Sequence, residues 1–233
     1  MRKSVSVLQI VGLICFGLAC LSYNANLFGQ GPSTQKKSAD APTLFGRNLL
    51  KNGNAEASAP DQHKVPGGWQ LMEEFTVATY GSVSGEWDWG LSGCADCGKS
   101  YVRLQFQDKK EIATSQTADI ASSAEAVDAG KVSATIQAFL GGFLESDTTS
   151  VISASFLDSK GAELGSMETD PIDVAKLPKA TSGSTGLSPC QKTGIVPAGT
   201  RSIVFAWKAR ATGDSNSYIA LGDNFSLVLT KKD

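Results

Sequence analysis

Along most of the chain beyond residue 70, apolar and polar positions alternate with the period of β-strands. Val102, Leu104 and Phe106 are interleaved with Tyr101, Arg103, Gln105 and Gln107, which sends one set into a core and the other to the opposite face. Lys131 to Leu140 repeats the pattern, with Val132, Ala134, Ile136, Ala138 and Leu140 on one side, Ser133, Thr135, Gln137 and Phe139 on the other, and Gly141-Gly142 as a stop. Phe75 to Tyr80 is β-branched and aromatic and is followed by Gly81 and Gly85, a further strand signal. Val151 to Leu157 turns Ile152, Ala154 and Phe156 inward. Asp158-Ser159-Lys160-Gly161 then predicts a tight turn with a left-handed glycine, making a hairpin with Ala162 to Met167. Two more strands follow, one with Ile203, Phe205 and Trp207 on a common face and one, Tyr218 to Leu229, with Phe225, Leu227 and Leu229 together. Ala118 to Gly130 reads as a connection with room for a short helical turn starting near Ser122 or Ser123. Asp170 to Thr200, containing Pro and Gly, reads largely as a surface excursion. Alternating strands joined by turns, with no long helical pattern, predict an all-β antiparallel sandwich.

The beginning of the chain has a different character. Met1-Arg2-Lys3 precedes an apolar run from Val5 to Leu21, the arrangement of a secretory signal, and cleavage is expected between Ser22 and Gly29. Two alternatives are an uncleaved anchor and a lipoprotein acylated on Cys20, the latter with Gly17 where a lipobox carries leucine. Residues 1–29 are thus expected as a signal segment, 30–43 as a flexible polar spacer, and 44–233 as one domain. The expected location is secreted, periplasmic or cell-envelope, with no stable membrane insertion of the mature domain. A net charge of -2 with 19% charged residues provides no basic stripe, which argues against nucleic acid and anionic lipid as partners.

Two motifs frame the domain. Asn48-Leu49-Leu50 runs into Asn52-Gly53-Asn54-Ala55-Glu56 and, past Pro66 and Gly67-Gly68, into Trp69; the chain closes on Asp223-Asn224-Phe225-Ser226-Leu227. Between them lie Gln116-Thr117-Ala118-Asp119-Ile120, Ala138-Phe139-Leu140-Gly141-Gly142-Phe143, Phe156-Leu157-Asp158 and Pro197-Ala198-Gly199-Thr200-Arg201. Together they resemble the jelly-roll, galactose-binding-like carbohydrate-binding modules of exported bacterial proteins and, more distantly, the sugar-binding domain attached to some F-box proteins. The sequence departs from that pattern where Ala220-Leu221-Gly222 separates Tyr218-Ile219 from Asp223. The resemblance implies a jelly roll with Trp69 in its core and a structural Ca2+ tying the first turn to the last strand. The implied ligands are Asn54, Glu56 and Asp223, with Asp96 added from position. The alternative is that Glu56 hydrogen-bonds in a turn and Asp223 caps a strand.

His63 is the single histidine and lies in a polar loop, so histidine-based catalysis has one possible member and no familiar catalytic motif accompanies it. A non-enzyme is expected, although counting Asp and Glu does not decide whether two carboxylates converge. Cys94 and Cys97 in an exported chain read as a disulfide, with Cys190 left over unless it pairs with one of them; a zinc site from Cys94, Cys97, Cys190 and His63 is the alternative. Trp87 and Trp89, two apart, would point the same way if extended and form a stacking platform for sugar rings; the alternative places both in the core. Tyr101 and Phe139 on polar strand faces, with Arg103, Gln105 and Gln137, would supply the donors and acceptors a sugar needs. The expected function is carbohydrate or glycan binding without catalysis, the alternative a structural or adhesive module of the cell envelope that contacts protein.

Overall fold

The expected alternation folds into two antiparallel sheets packed face to face. The structure, a computed structural model, describes residues 43–57, 67–70, 75–81, 83–84, 87–88, 94, 96–107, 111–143, 147–178, 186–214 and 217–232. Its strands are β1 (Phe75–Thr79), β2 (Val83–Ser84), β3 (Trp87–Asp88), β4 (Ser100–Phe106), β5 (Glu111–Asp119), β6 (Val132–Gly142), β7 (Thr148–Leu157), β8 (Glu163–Glu168), β9 (Ile172–Asp173), β10 (Ser188–Ile195), β11 (Ser202–Ala211) and β12 (Tyr218–Lys231). The first sheet runs β1-β4-β12-β6-β10; the second runs β5-β11-β7-β8 with β9 also on β7, and β2 and β3 form a short ladder of their own. Residues Pro42–Asp233 make one unit. Among the described residues no helix is long and apolar enough to cross a membrane.

The core lies between the sheets. Val102, Leu104 and Phe106, Ile136 and Leu140, Ile152 and Phe156, and Ile203, Phe205 and Trp207 all face into it. Trp69 plugs one side, its ring 5.2 Å from that of Phe225 and 5.5 Å from that of Phe75. Losing a buried tryptophan of this kind costs about 3–5 kcal/mol. Asp158 closes the β7–β8 turn by accepting from the amides of Lys160 and Ala162 with Gly161 at φ 82°, as its sequence predicts.

Two long strands escaped the sequence pattern, as did the two-residue strands β2, β3 and β9. β5 turns Ile112, Thr114, Gln116 and Ala118 inward, and its mix of polar and small inward residues hides the period of two. β10 occupies part of the expected surface excursion and pairs with β6, Cys190 lying opposite Ala138. As an edge strand it carries Pro189 and polar residues, which blurred its signal. The expected connection at 118–130 holds a 3-10 turn (Ala121–Ser123) and helix α1 (Ala124–Asp128), ended by Gly130 at φ 69°.

The opening segment is pinned more by side chains than by a ladder. Asn48 donates to the Phe225 carbonyl at 2.9 Å and accepts from the amides of Leu50 and Leu227, each at 3.0 Å. Gln116 pairs with Lys51 in the same way, accepting from its amide at 2.9 Å and donating to its carbonyl at 2.8 Å. Gly53 is required where the turn meets β12, because a Cβ there would overlap the Phe225 carbonyl oxygen.

Candidate functional site

The site is set by a bulge in β12. Asp223 stands opposite Phe139, yet Ser226 stands opposite Gln137, so three residues of β12 span the distance covered by two on β6. Such an extra residue reverses the parity of the strand. Tyr218 and Ala220 face the core before the bulge; Phe225, Leu227 and Leu229 face it afterwards. Asn224 takes up the irregularity at φ 49°, a left-handed conformation that asparagine tolerates better than most residues. Its side chain donates to the Asp96 carbonyl at 3.0 Å.

Beside the bulge a cleft of about 590 Å³ opens, lined by Asn52, Asn54, Gln137, Phe139, Asn224 and Ser226 among others, Cys94 and Asp96 included. The opening motif, the closing motif, β6 and the Cys94–Cys97 turn therefore converge on one place. Amides and a hydroxyl beside an aromatic ring can hold the hydroxyls and the apolar face of a polar organic ligand.

Asp223, next to the cleft residue Asn224, is fully buried and does not line the cleft. Its Oδ2 accepts from the Tyr80 hydroxyl at 2.6 Å and its Oδ1 from the Asn224 amide at 2.6 Å. Burial pushes its carboxyl up to about 7 against the opposing pull of those two hydrogen bonds, with Glu56 adding a further upward push. Burial and the same carboxylate hold the Tyr80 hydroxyl far above its usual range.

Calcium binding would need about six to eight oxygens around one point. Glu56 Oε1 instead accepts from the amides of Lys99 and Ser100 at 2.8 and 2.7 Å, tying the opening turn to β4. Gly98 makes room for it, since a Cβ there would meet Oε1 at 2.6 Å. Asn54 and Asp96 are exposed residues lining the cleft, and Asn54 Oδ1 accepts from the Glu56 amide at 3.4 Å. Among the described residues, the metal-ligating atoms grouped with the Asp223 carboxylate are the Sγ atoms of Cys94 and Cys97, all within 4.8 Å of one another.

The other expected site residues are dispersed. Gln137 and Phe139 are half-buried and line the cleft. Arg103 and Gln105 share the outer face of the first sheet, opposite Leu221 and Ile219, but are not among the cleft's lining residues. Tyr101 corrects the expectation of a polar face. It is fully buried in a second apolar cluster with Ile219 and Leu221, and its ring lies 4.9 Å from that of Tyr80. The alternation placed its face properly, but this part of the sheet is buried on both sides. Trp87 belongs to β3, with Ser84 opposite; Trp89 and His63 lie outside the described residues. Cys94 and Cys97 are joined by a disulfide, and Cys190 is free and buried. Its place in the core removes it from the four-ligand zinc set, and burial pushes its thiol up to about 11. Sequence reasoning missed Tyr80, whose only signal is its outward parity with Thr76 and Ala78.

No protein-family model and no curated protein sequence matches the chain. Solved structures do resemble it. The Stig cyclase Fisc from Fischerella sp. TAU, in complex with (3Z)-3-(1-methyl-2-pyrrolidinylidene)-3H-indole, is 13% identical with a TM-score of 0.52, covering 80% of this chain and 98% of that one. The carbohydrate-binding module TmCBM61, in complex with beta-1,4-galactotriose, is 14% identical with a TM-score of 0.44, covering 80% and 99%. The enzymatically active domain of bacteriophage CBA120 tailspike protein 4 is 16% identical with a TM-score of 0.47 over 78% of this chain, which spans only 21% of that one. At 13% identity the likeness to the cyclase is one of fold alone, the fold being the antiparallel β-sandwich described above.

Proposed function

We propose that this chain is exported and that its β-sandwich binds a neutral carbohydrate in the cleft beside the β12 bulge without transforming it. The observation that carries the reading is the cleft itself, whose lining is rich in Asn and Gln beside the ring of Phe139. Its size suits one or two sugar units, since small-molecule sites run from roughly 300 to 1,000 Å³. Its lining includes one carboxylate residue, Asp96, where hydrolysis of a glycosidic bond ordinarily uses a pair. The sequence resemblance to carbohydrate-binding modules points the same way. An open cleft of this kind binds weakly, through a few anchors.

Affinity electrophoresis through gels carrying different soluble polysaccharides tests the reading. At least one polysaccharide should retard the protein, and Phe139→Ala and Gln137→Ala should each weaken retardation by about tenfold, as expected for losing an anchor worth about 1.4 kcal/mol. Unretarded migration in every gel would overturn it in favour of a protein-contacting module. Trp87→Ala and Trp89→Ala, if folded and fully retarded, remove the tryptophan platform from the site.

A further inference from the structure

The Cys94–Cys97 turn and Asp223 have the makings of a second site. Cys94 is half-buried at the cleft, Cys97 is buried, and both sulfurs lie with the Asp223 carboxylate in a group no wider than 4.8 Å. Ligands on a tetrahedral Zn2+ sit about 3.5 Å apart, given metal distances of about 2.3 Å to sulfur and about 2.0 Å to oxygen. The two sulfurs are bonded to each other here, so reaching that spacing requires them to separate once the bond is reduced, with the carboxylate already no more than 4.8 Å from either. Two cysteines separated by two residues are also a common chelating pair for zinc. The surroundings suit such ligands: Asn224 Nδ2 lies 3.9 Å from each sulfur, and Tyr80 and the Asn224 amide each hold one carboxylate oxygen. Outer contacts of this type orient metal ligands and raise affinity.

We propose that reduction of the Cys94–Cys97 disulfide creates a site for a thiophilic divalent cation such as Zn2+, held by both sulfurs and the Asp223 carboxylate, with its fourth position open to water from the cleft. A dithiol reductant supplies two electrons and two protons, becoming a cyclic disulfide while the Cys94–Cys97 bond opens to two thiols. The cation then displaces both thiol protons, and any proton on the Asp223 carboxyl, to solvent. Oxidised, the same residues form a metal-free cross-link, so the turn alternates between two ways of being tied. This site is separate from the sugar reading and survives its failure.

Cobalt(II) is the spectroscopic probe, used on the full chain carrying Cys15→Ser, Cys20→Ser and Cys190→Ser so that only the pair remains. A phosphine, which leaves as its oxide with oxygen from water, replaces the dithiol because it competes little for the metal. The reduced protein should bind one Co2+ with a thiolate-to-cobalt charge-transfer band and the intense visible bands of a tetrahedral ion. Zn2+ should abolish both, excess Ca2+ should abolish neither, and the oxidised protein should show neither. Cys94→Ser and Asp223→Asn should each weaken binding by at least about tenfold. A reduced protein without the charge-transfer band, or an undiminished band in Cys94→Ser, would overturn the proposal. X-ray absorption on the reduced zinc form decides the carboxylate's part even if Asp223→Asn does not fold: two sulfur and two lighter ligands are expected, and any other sulfur count overturns it.

Discussion

At Asp223 a carboxylate is enclosed by a tyrosine hydroxyl, a disulfide and the amide of its own neighbour. Burial holds its carboxyl near 7, above the ordinary value of 3.8, so between those limits the folded protein binds a proton that the unfolded chain has released. The sign follows directly. The stabilisation from this group is complete below about pH 4 and is lost as pH rises through about 7. The groups facing it are Tyr80 and Glu56, and the disulfide beside it does not titrate. Urea unfolding of the oxidised protein should therefore show a loss toward neutral pH of up to roughly 4 kcal/mol, and Asp223→Asn should flatten that part of the profile. An unchanged slope in the variant would show that another group causes it. The sequence marked Asp223 and Glu56 as special because both sit in recognisable motifs. It did not reveal what they touch, since Tyr80, Lys99 and Ser100 reach them only through tertiary packing.

Among the elements, strands with one apolar face were legible and strands with mixed faces were not. β4, β6, β7 and β11 bury apolar side chains at every second position, whereas β5 buries Thr114 and Gln116 and β10 buries Cys190 among polar neighbours. The β12 bulge was not read from the sequence, where Tyr218 to Leu229 appears as one strand; it emerges only from the register against β6, which shifts between Asp223 and Ser226. The opening segment reads as a strand and in fact has only isolated bridges, from Phe45 to Leu229 and from Asn48 to Val228. Its attachment depends on the Asn48 side chain. Asn48→Ala removes three hydrogen bonds and leaves the amide of Leu227 and the carbonyl of Phe225 without that partner, so it should cost about 2–3 kcal/mol. Hydrogen exchange should speed up at Leu227 and Leu50 while β5, β7 and β11 keep their protection. Uniform loss across both sheets would contradict this local role.

For the whole molecule, the two-sheet architecture followed from strand pattern, and the cleft did not, because its walls come from segments more than 150 residues apart. The export reading belongs to this scale. Intact mass of protein recovered from the medium or envelope should correspond to a chain beginning between about Ser22 and Gln30; a mass retaining Met1, or one with a diacylglycerol adduct on Cys20, would contradict it. The topology bears on synthesis as well. β12, the last strand in the chain, lies in the middle of the first sheet, between β4 and β6, and also receives the opening segment. Until residues near 230 have left the ribosome, β4 and β6 have no common partner and Asn48 cannot reach Phe225 or Leu227. The first sheet cannot close from its N-terminal end as the chain emerges; its β1–β4 and β6–β10 halves are joined only when their central strand arrives.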